Sequence, residues 1–292
     1  MGLLEGKVAV ITGSTRGLGL AIAEAYAREG AAVVISSRTA HAVETEVDAL
    51  QSQGLRAAGI ACDVSDAGQV QTLAEFAVDT FGEFDLWVNN AGMSAPYGPT
   101  LYIPPEQFEK VTKVNIFGTY YGSMAALRHF VPRGRGKLIN LLGRGDREPV
   151  PLQNIYAPSK TWVRSFTLAL ARENKDTGVG VFAFNPGLVD TEMLRDVTAI
   201  TGYEKRMKAL EIVIRLWGQP SGMPAERAVW LASSATDGKT GLEVRTLDQK
   251  QLLSGLWNEV KRLTRRGPAP DTTVHVTSVP PTSITEAARQ DR

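Results

Sequence analysis

Val8-Ala9-Val10-Ile11-Thr12-Gly13-Ser14-Thr15-Arg16-Gly17-Leu18-Gly19 is the stretch that decides the fold. Val8 to Ile11 is a short apolar run rich in β-branched residues, the pattern of a buried strand. The glycines that follow allow a tight turn and a close backbone approach. Leu18 to Arg28 has helical character and is closed by Gly30. A strand, a glycine-rich turn and a helix in that order present free N–H groups and a positive dipole end to a phosphate. Gly13, Gly17 and Gly19 follow a G-x3-G-x-G spacing rather than the commoner G-x-G-x-x-G.

Outward from this turn, the same alternation repeats. Strands are expected at Ala32 to Ile35, Ala57 to Ala61, Leu86 to Asn89, Lys137 to Leu142, Gly180 to Phe184 and Leu242 to Arg245. Helices are expected at Thr39 to Gln53, Asp66 to Phe81, Pro105 to Phe130, Ile155 to Lys175, Pro224 to Ser233 and Gln249 to Leu263. Short apolar strands alternating with amphipathic helices imply an α/β fold, a doubly wound parallel sheet of Rossmann type in three layers, α/β/α. Ligands of such sheets bind beyond the carboxyl ends of the strands.

The expected organisation is one domain over residues 1–265 and a C-terminal tail over 266–292, rich in Pro and Thr. Thr191 to Gly222 lacks a regular pattern and holds Met193, Leu194, Tyr203, Met207 and Trp217. Val274, Val276 and the alternating threonines allow an edge strand within the tail.

Composition narrows the function classes. Of 292 residues, 43% are hydrophobic and 22% charged, as in ordinary globular proteins. A net charge of +1 without blocks of like charge argues against nucleic-acid or anionic-membrane partners. The single cysteine, Cys62, excludes an intramolecular disulfide and a cysteine-based zinc site, and the three scattered histidines suggest no metal. No apolar run approaches the roughly 20 residues of a membrane span. A cytoplasmic protein is expected.

The second strand indicates which nucleotide is held. Enzymes that use NAD usually place an acid there for the ribose 2′-hydroxyl. Here the strand ends in Ser36-Ser37-Arg38. A guanidinium holds a 2′-phosphate in bidentate fashion, and Arg16 adds a second cation nearby, so NADP(H) is the expected cofactor.

The chain resembles the short-chain dehydrogenase/reductase family over roughly residues 5–246. The resemblance rests on the Thr12 to Gly19 loop, Asn89-Asn90-Ala91-Gly92, Asn115, Tyr156-Ala157-Pro158-Ser159-Lys160, and Asn185-Pro186-Gly187 with Thr191. It implies a cofactor site built from Gly13, Ser14, Thr15, Arg16, Gly17, Leu18, Gly19, Ser37, Arg38, Asp63, Val64, Asn89, Ala91, Gly92, Tyr156, Lys160, Pro186, Gly187, Val189 and Thr191. It implies that Asp63 contacts the adenine. It also implies that Thr191 to Gly222 lies over the substrate as a lid, and that the chain forms a homodimer or homotetramer.

Tyr156 and Lys160 lie four apart and project from one helix face. A tyrosine ordinarily titrates near pH 10, and a neighbouring ammonium favours its phenolate. Tyr156 can then exchange a proton with a carbonyl or alcohol oxygen. By resemblance, Lys160 also holds the nicotinamide ribose, and Asn115 anchors a water that links Lys160 to solvent. The family usually carries a serine thirteen residues before the tyrosine. Counting back from Tyr156 reaches Gly143. Loss of one such donor commonly costs about 3–4 kcal/mol of transition-state stabilisation.

Three explanations follow. Another donor substitutes, with Ser94, Asn154, Arg144, a water or a polar group of the substrate as candidates. Gly143 makes room for a bulky, partly hydrophobic substrate. Or the protein binds NADP(H) without turnover, as a sensor or assembly partner. Alkene reduction or redox-neutral epimerisation on the same scaffold is a further alternative. The charged loop Arg144-Gly145-Asp146-Arg147-Glu148 is expected either to pair its own charges or to offer an arginine to the substrate.

Overall fold

The computed structural model describes residues 2–247, 249–264 and 270–282. Its centre is a seven-stranded, all-parallel sheet. In chain order the strands are β1 (Val8–Thr12), β2 (Ala32–Ser37), β3 (Ala57–Ala61), β4 (Leu86–Asn89), β5 (Gly136–Leu141), β6 (Val179–Asn185) and, after one strand outside the sheet, β8 (Glu243–Arg245). Their spatial order is β3-β2-β1-β4-β5-β6-β8. The order reverses direction between β1 and β4, which opens a crevice at their carboxyl ends.

Alternation along β1 feeds two cores. Ala9 and Ile11 pack with Ile22 and Tyr26 of α1 (Gly17–Arg28), Val43 and Leu50 of α2 (Ala40–Ser52), and Ala228 and Leu231 of α9 (Gly222–Ala232). Val8 and Val10 pack on the other face with Val70 and Leu73 of α3 (Ala67–Phe81), Phe130 of α5 (Gly118–Phe130) and Leu170 of α6 (Tyr156–Glu173). The sheet is therefore buried on both sides, as the doubly wound reading requires.

The long helical stretch expected from Pro105 to Phe130 is interrupted. It comprises α4 (Pro105–Thr112), a π turn at Lys113–Phe117 and α5. Such wide turns are frequent at functional sites, and this one carries Asn115. At Gly122, α5 comes so close to the sheet that an added Cβ would lie 2.0 Å from Asn89 Oδ1.

The 191–222 segment is more regular than its sequence suggests. It forms α7 (Glu192–Arg195), β7 (Asp196–Ile200) and α8 (Lys208–Trp217). The strand allowed by Val274 and Val276 exists as β9 (His275–Val279), following α10 (Gln249–Thr264). It does not join the main sheet but runs parallel to β7, from the Asp196↔His275 pair to Ile200↔Val279. Val197, Ala199, Met207, Leu210 and Ile214 form a small apolar core beneath this pair. The rest of the expected tail, residues 266–269 and 283–292, lies outside the described residues, as does residue 265 before it.

Candidate active site

The turn after β1 is held by its neighbours. Asn90 Nδ2 donates to the carbonyls of Thr12 and Gly13, each at 2.9 Å, and Thr12 Oγ1 accepts from the N–H groups of Asn90 and Ala91. Gly13 and Gly17 adopt φ of +64° and +56°. Gly19 is required for space, because a Cβ there would meet Gly13 O at 2.3 Å. The N-terminus of α1 has no side-chain cap and no acid in its first turn, so its N–H groups and positive dipole end remain available.

Several residues expected here have structural duties. Ser14 is fully buried; its hydroxyl donates to Ile11 O at 2.7 Å and accepts from Ser36 N at 3.0 Å. Arg16 pairs with Glu192 at 2.6 Å. Asp63 Oδ1 accepts from the backbone and hydroxyl of Ser65, which shapes the turn after β3. Asn89 ties β4 to β5 and α5 through Asn140, Ser123 and Thr119 O. Arg38 is exposed just beyond β2 and has no acidic partner among the described residues.

Tyr156 opens α6. A Cβ built on Gly143 would lie 2.3 Å from the Tyr156 hydroxyl. The space left by the missing side chain is thus taken by the tyrosine itself. A side chain at position 143 would therefore compete with the Tyr156 hydroxyl for the same space. Burial pushes the Tyr156 phenol up, and Tyr97 and Asp146 add to the effect.

Lys160 sits one turn further on and is 5% exposed. Its Nζ donates to Leu141 O at 3.0 Å. Burial draws its ammonium down to about 8, with Asp146 opposing. Asn115 is fully buried; its Oδ1 accepts from Met93 N, and its Nδ2 donates to Met93 O and to Ser159 Oγ. Gly92 brings the two together. A Cβ there would be 3.5 Å from Asn115 Oδ1 and 3.7 Å from Lys160 Nζ.

The charged loop divides its arginines. Arg147 joins Arg164 on Glu243, at 2.9 and 2.7 Å. Asp146 is 4% exposed and pairs with Arg245, while its Oδ1 accepts from Asn185 Nδ2 at 3.3 Å. Asn185 Nδ2 also donates to Gly143 O at 3.2 Å, so the Gly143–Asp146 turn is clamped to the end of β6. Arg144 is exposed and has no acidic partner among the described residues.

Across the crevice, Gly187 takes φ +74° and donates to Asn185 Oδ1 at 2.9 Å, while Pro186 O accepts from Gln219 Nε2 at 2.5 Å. Val189 bridges to Gln219, and Thr191 Cγ2 lies near the open face of Gly17. Ser94 lies on the segment that leads from Gly92 to Tyr97. Asn154 is turned outward, where its Nδ2 donates to Thr100 Oγ1.

Two residues escape the sequence patterns: Asp146, a buried clamp, and Tyr97, whose charge would act on Tyr156. Asp146 was hidden among charges that looked solvated. Tyr97 belongs to no recognisable motif.

A family model described as short chain dehydrogenase matches residues 7–201. The chain belongs to the short-chain dehydrogenase family. A diacetyl reductase of Staphylococcus epidermidis, named as forming (S)-acetoin, is 35% identical and covers 82% of this chain and 96% of its own length. Glucose 1-dehydrogenase 2 of Bacillus subtilis is 32% identical, with coverage of 82% and 92%. Among solved structures, a gluconate 5-dehydrogenase of Burkholderia cenocepacia in complex with NADP and tartrate aligns with a TM-score of 0.76 at 28% identity, covering 86% and 96%. A 3-ketoacyl-(acyl-carrier-protein) reductase of Brucella melitensis complexed with NADH aligns with a TM-score of 0.73 at 30% identity, covering 83% and 97%. The two solved structures share this fold, and all four relatives are named as dehydrogenases or reductases. No described helix is long and apolar enough to cross a membrane.

Proposed function

We propose that this short-chain dehydrogenase transfers a hydride between NADP(H) and a small carbonyl or alcohol substrate, with Tyr156 as general acid and base. The observation that carries this reading is the convergence of Tyr156, Lys160, Asn115 and Gly92 beside the glycine turn at the carboxyl end of the sheet.

The crevice fits a dinucleotide. Gly13, Gly17 and Gly19 leave the cradle free of side chains, the N-terminus of α1 is uncapped, and Arg38 is free at the second strand. Bound there, the cofactor supplies or accepts the hydride. Arg38 favours a 2′-phosphate, while Gly92, Pro186, Gly187, Val189 and Thr191 border the nicotinamide end.

The chain's own residues manage the proton. Burial keeps Tyr156 protonated at neutral pH, which suits donation to a carbonyl oxygen. Lys160 remains an ammonium below about pH 8 and stabilises the phenolate left behind. In this reading the 191–222 segment serves as a lid and the chain assembles as a homodimer or homotetramer. Gly143, without a hydroxyl, also supports a second reading: a protein that binds NADP(H) and does not turn over.

Parallel calorimetric titration with NADPH and NADH tests the proposal, followed by NADPH-driven reduction of a carbonyl panel that includes diacetyl. Tighter NADPH binding is expected, and Arg38→Ala should abolish most of the preference. Binding without consumption across the panel favours the second reading. Failure of well-folded protein to bind either nucleotide sinks both.

A further inference from the structure

Gly143 offers a bound carbonyl oxygen no side-chain donor, and the Tyr156 hydroxyl occupies its open face. A second phenol is carried by the segment that leads from Gly92 to β7. The backbone of Tyr97 is fixed from both sides. Tyr97 N donates to Thr198 O at 2.9 Å, Ile200 N donates to Tyr97 O at 2.9 Å, and Gly98 N donates to Leu152 O at 3.1 Å. Thr198 and Ile200 belong to β7. Leu152 lies four residues before Tyr156 and holds the strained φ of +66°. Gly98 admits no side chain, because a Cβ there would stand 2.5 Å from Ile200. Tyr97 is therefore pinned between β7 and the loop that delivers Tyr156.

The chemistry of the position is suitable. The Tyr97 ring packs against the Val197, Ala199, Met207, Leu210 and Ile214 core. Its hydroxyl has no hydrogen-bond partner among the described residues. Burial pushes the Tyr97 phenol up, so it is a protonated donor at neutral pH, while the Arg144 guanidinium pulls in the opposite direction. An ionised Tyr97 would in turn push the Tyr156 phenol up, so Tyr97, Arg144 and Tyr156 share one electrostatic neighbourhood. Of the donors expected to replace a serine, Asn154 is turned outward to Thr100.

We propose that Tyr97 is a further catalytic residue, whose phenol donates to the substrate's carbonyl oxygen the hydrogen bond that a serine at position 143 would give. This rests on the carbonyl-reductase reading above. Tyr97 keeps its proton throughout, so the proton delivered to the product still comes from Tyr156. The bond strengthens as negative charge grows on the oxygen, which places its effect in the transition state. The pinning by β7 also makes the donor dependent on the order of the 191–222 segment.

The test uses the full chain, with diacetyl as probe and NADPH consumption followed by absorbance. Tyr97→Phe retains the ring and its packing. It is expected to lower kcat on the order of 100-fold, with KM for diacetyl within about twofold and NADPH affinity unchanged as the measure of folding. A Tyr97→Phe rate equal to that of an active wild type overturns the assignment alone. A change confined to KM overturns it as well, since that marks a packing role. A wild-type chain that binds NADPH and leaves every carbonyl probe unreduced overturns the carbonyl-reductase reading, and the assignment with it.

Discussion

The glycine turn after β1 and the β7–β9 pair, which the proposed function makes two walls of one cleft, are constrained differently. At Gly13, Gly17 and Gly19 the constraint acts on side-chain identity: positive φ or a backbone contact below van der Waals distance excludes any Cβ. At β7 and β9 it acts on backbone pairing, which is nearly indifferent to which side chains ride on the strands. The turn should therefore respond to single substitutions with loss of nucleotide binding. The strand pair should respond mainly to loss of a whole segment, and through the substrate.

Gly19→Ala probes the first constraint most severely. Its Cβ would lie 2.3 Å from Gly13 O and 2.4 Å from Asn90 Nδ2. Neither group is the free end of a flexible chain. NADPH affinity should fall about 100-fold or more, in line with the roughly 3 kcal/mol upper range for overpacking, as read by calorimetry. Undiminished affinity would show that the turn can relax and would remove the contrast with the strand pair.

Gly143→Ala carries the same steric argument to the chemistry. The added methyl would displace the Tyr156 hydroxyl, and a misplacement near 1 Å can cost about 100-fold in rate. A roughly 10- to 100-fold fall in kcat is expected, with NADPH affinity unchanged. Gly143→Ser should share the defect, since its Cβ enters the same space. A faster Gly143→Ser enzyme would mean that Tyr156 has slack which the static contact hides.

Titration adds a third test on this side of the cleft. The folded-state pKa of Lys160 is depressed to about 8. Its ammonium is therefore present below that pH and lost as pH rises through it. The reductive kcat/KM for NADPH should be flat through neutrality and fall by about tenfold per unit above that pH. Lys160→Arg stays charged throughout, and should move or remove this limb while lowering the overall rate. A limb that persists unmoved assigns it to another group.

Ending the chain after Thr264 removes β9 and probes the strand pair. The loss of pairing to β7 loosens Tyr97 and the core beneath it. KM for diacetyl should rise about fivefold, the equivalent of roughly 1 kcal/mol, and NADPH affinity should hold. A loss of NADPH affinity instead would mean that the two walls are coupled.

The same contrast explains what could be read in advance. The seven strands, the crossover helices and the Tyr156–Lys160 face follow from apolar periodicity and fixed spacing. Gly13 and Gly19 advertise themselves because nothing else fits. The β7–β9 pairing was not legible, since His275 to Val279 alternates weakly and its partner lies far back in the chain. Asp146 could not be told from its charged neighbours, because its burial depends on Arg245 and Asn185 arriving from other strands. Arg16 reads as a cation within reach of a phosphate; in the structure its nearest opposite charge comes from Glu192 on α7, a partner far along the chain that local spacing does not reveal.

That Arg16–Glu192 pair is the one described ion pair that crosses from the glycine turn to the 191–222 segment. Its side chains are 76% and 64% exposed, and exposed pairs of this kind contribute about 0–1 kcal/mol. Arg16→Ala and Glu192→Gln should therefore each change NADPH affinity and KM for diacetyl by less than about threefold. Added salt should shrink even that difference. If Arg16 instead leaves Glu192 and turns to a phosphate when NADPH binds, the two variants separate. Arg16→Ala would then weaken NADPH markedly, and Glu192→Gln would tighten it by freeing the arginine. Equal and small effects leave the pair as a surface contact and keep the two walls independent.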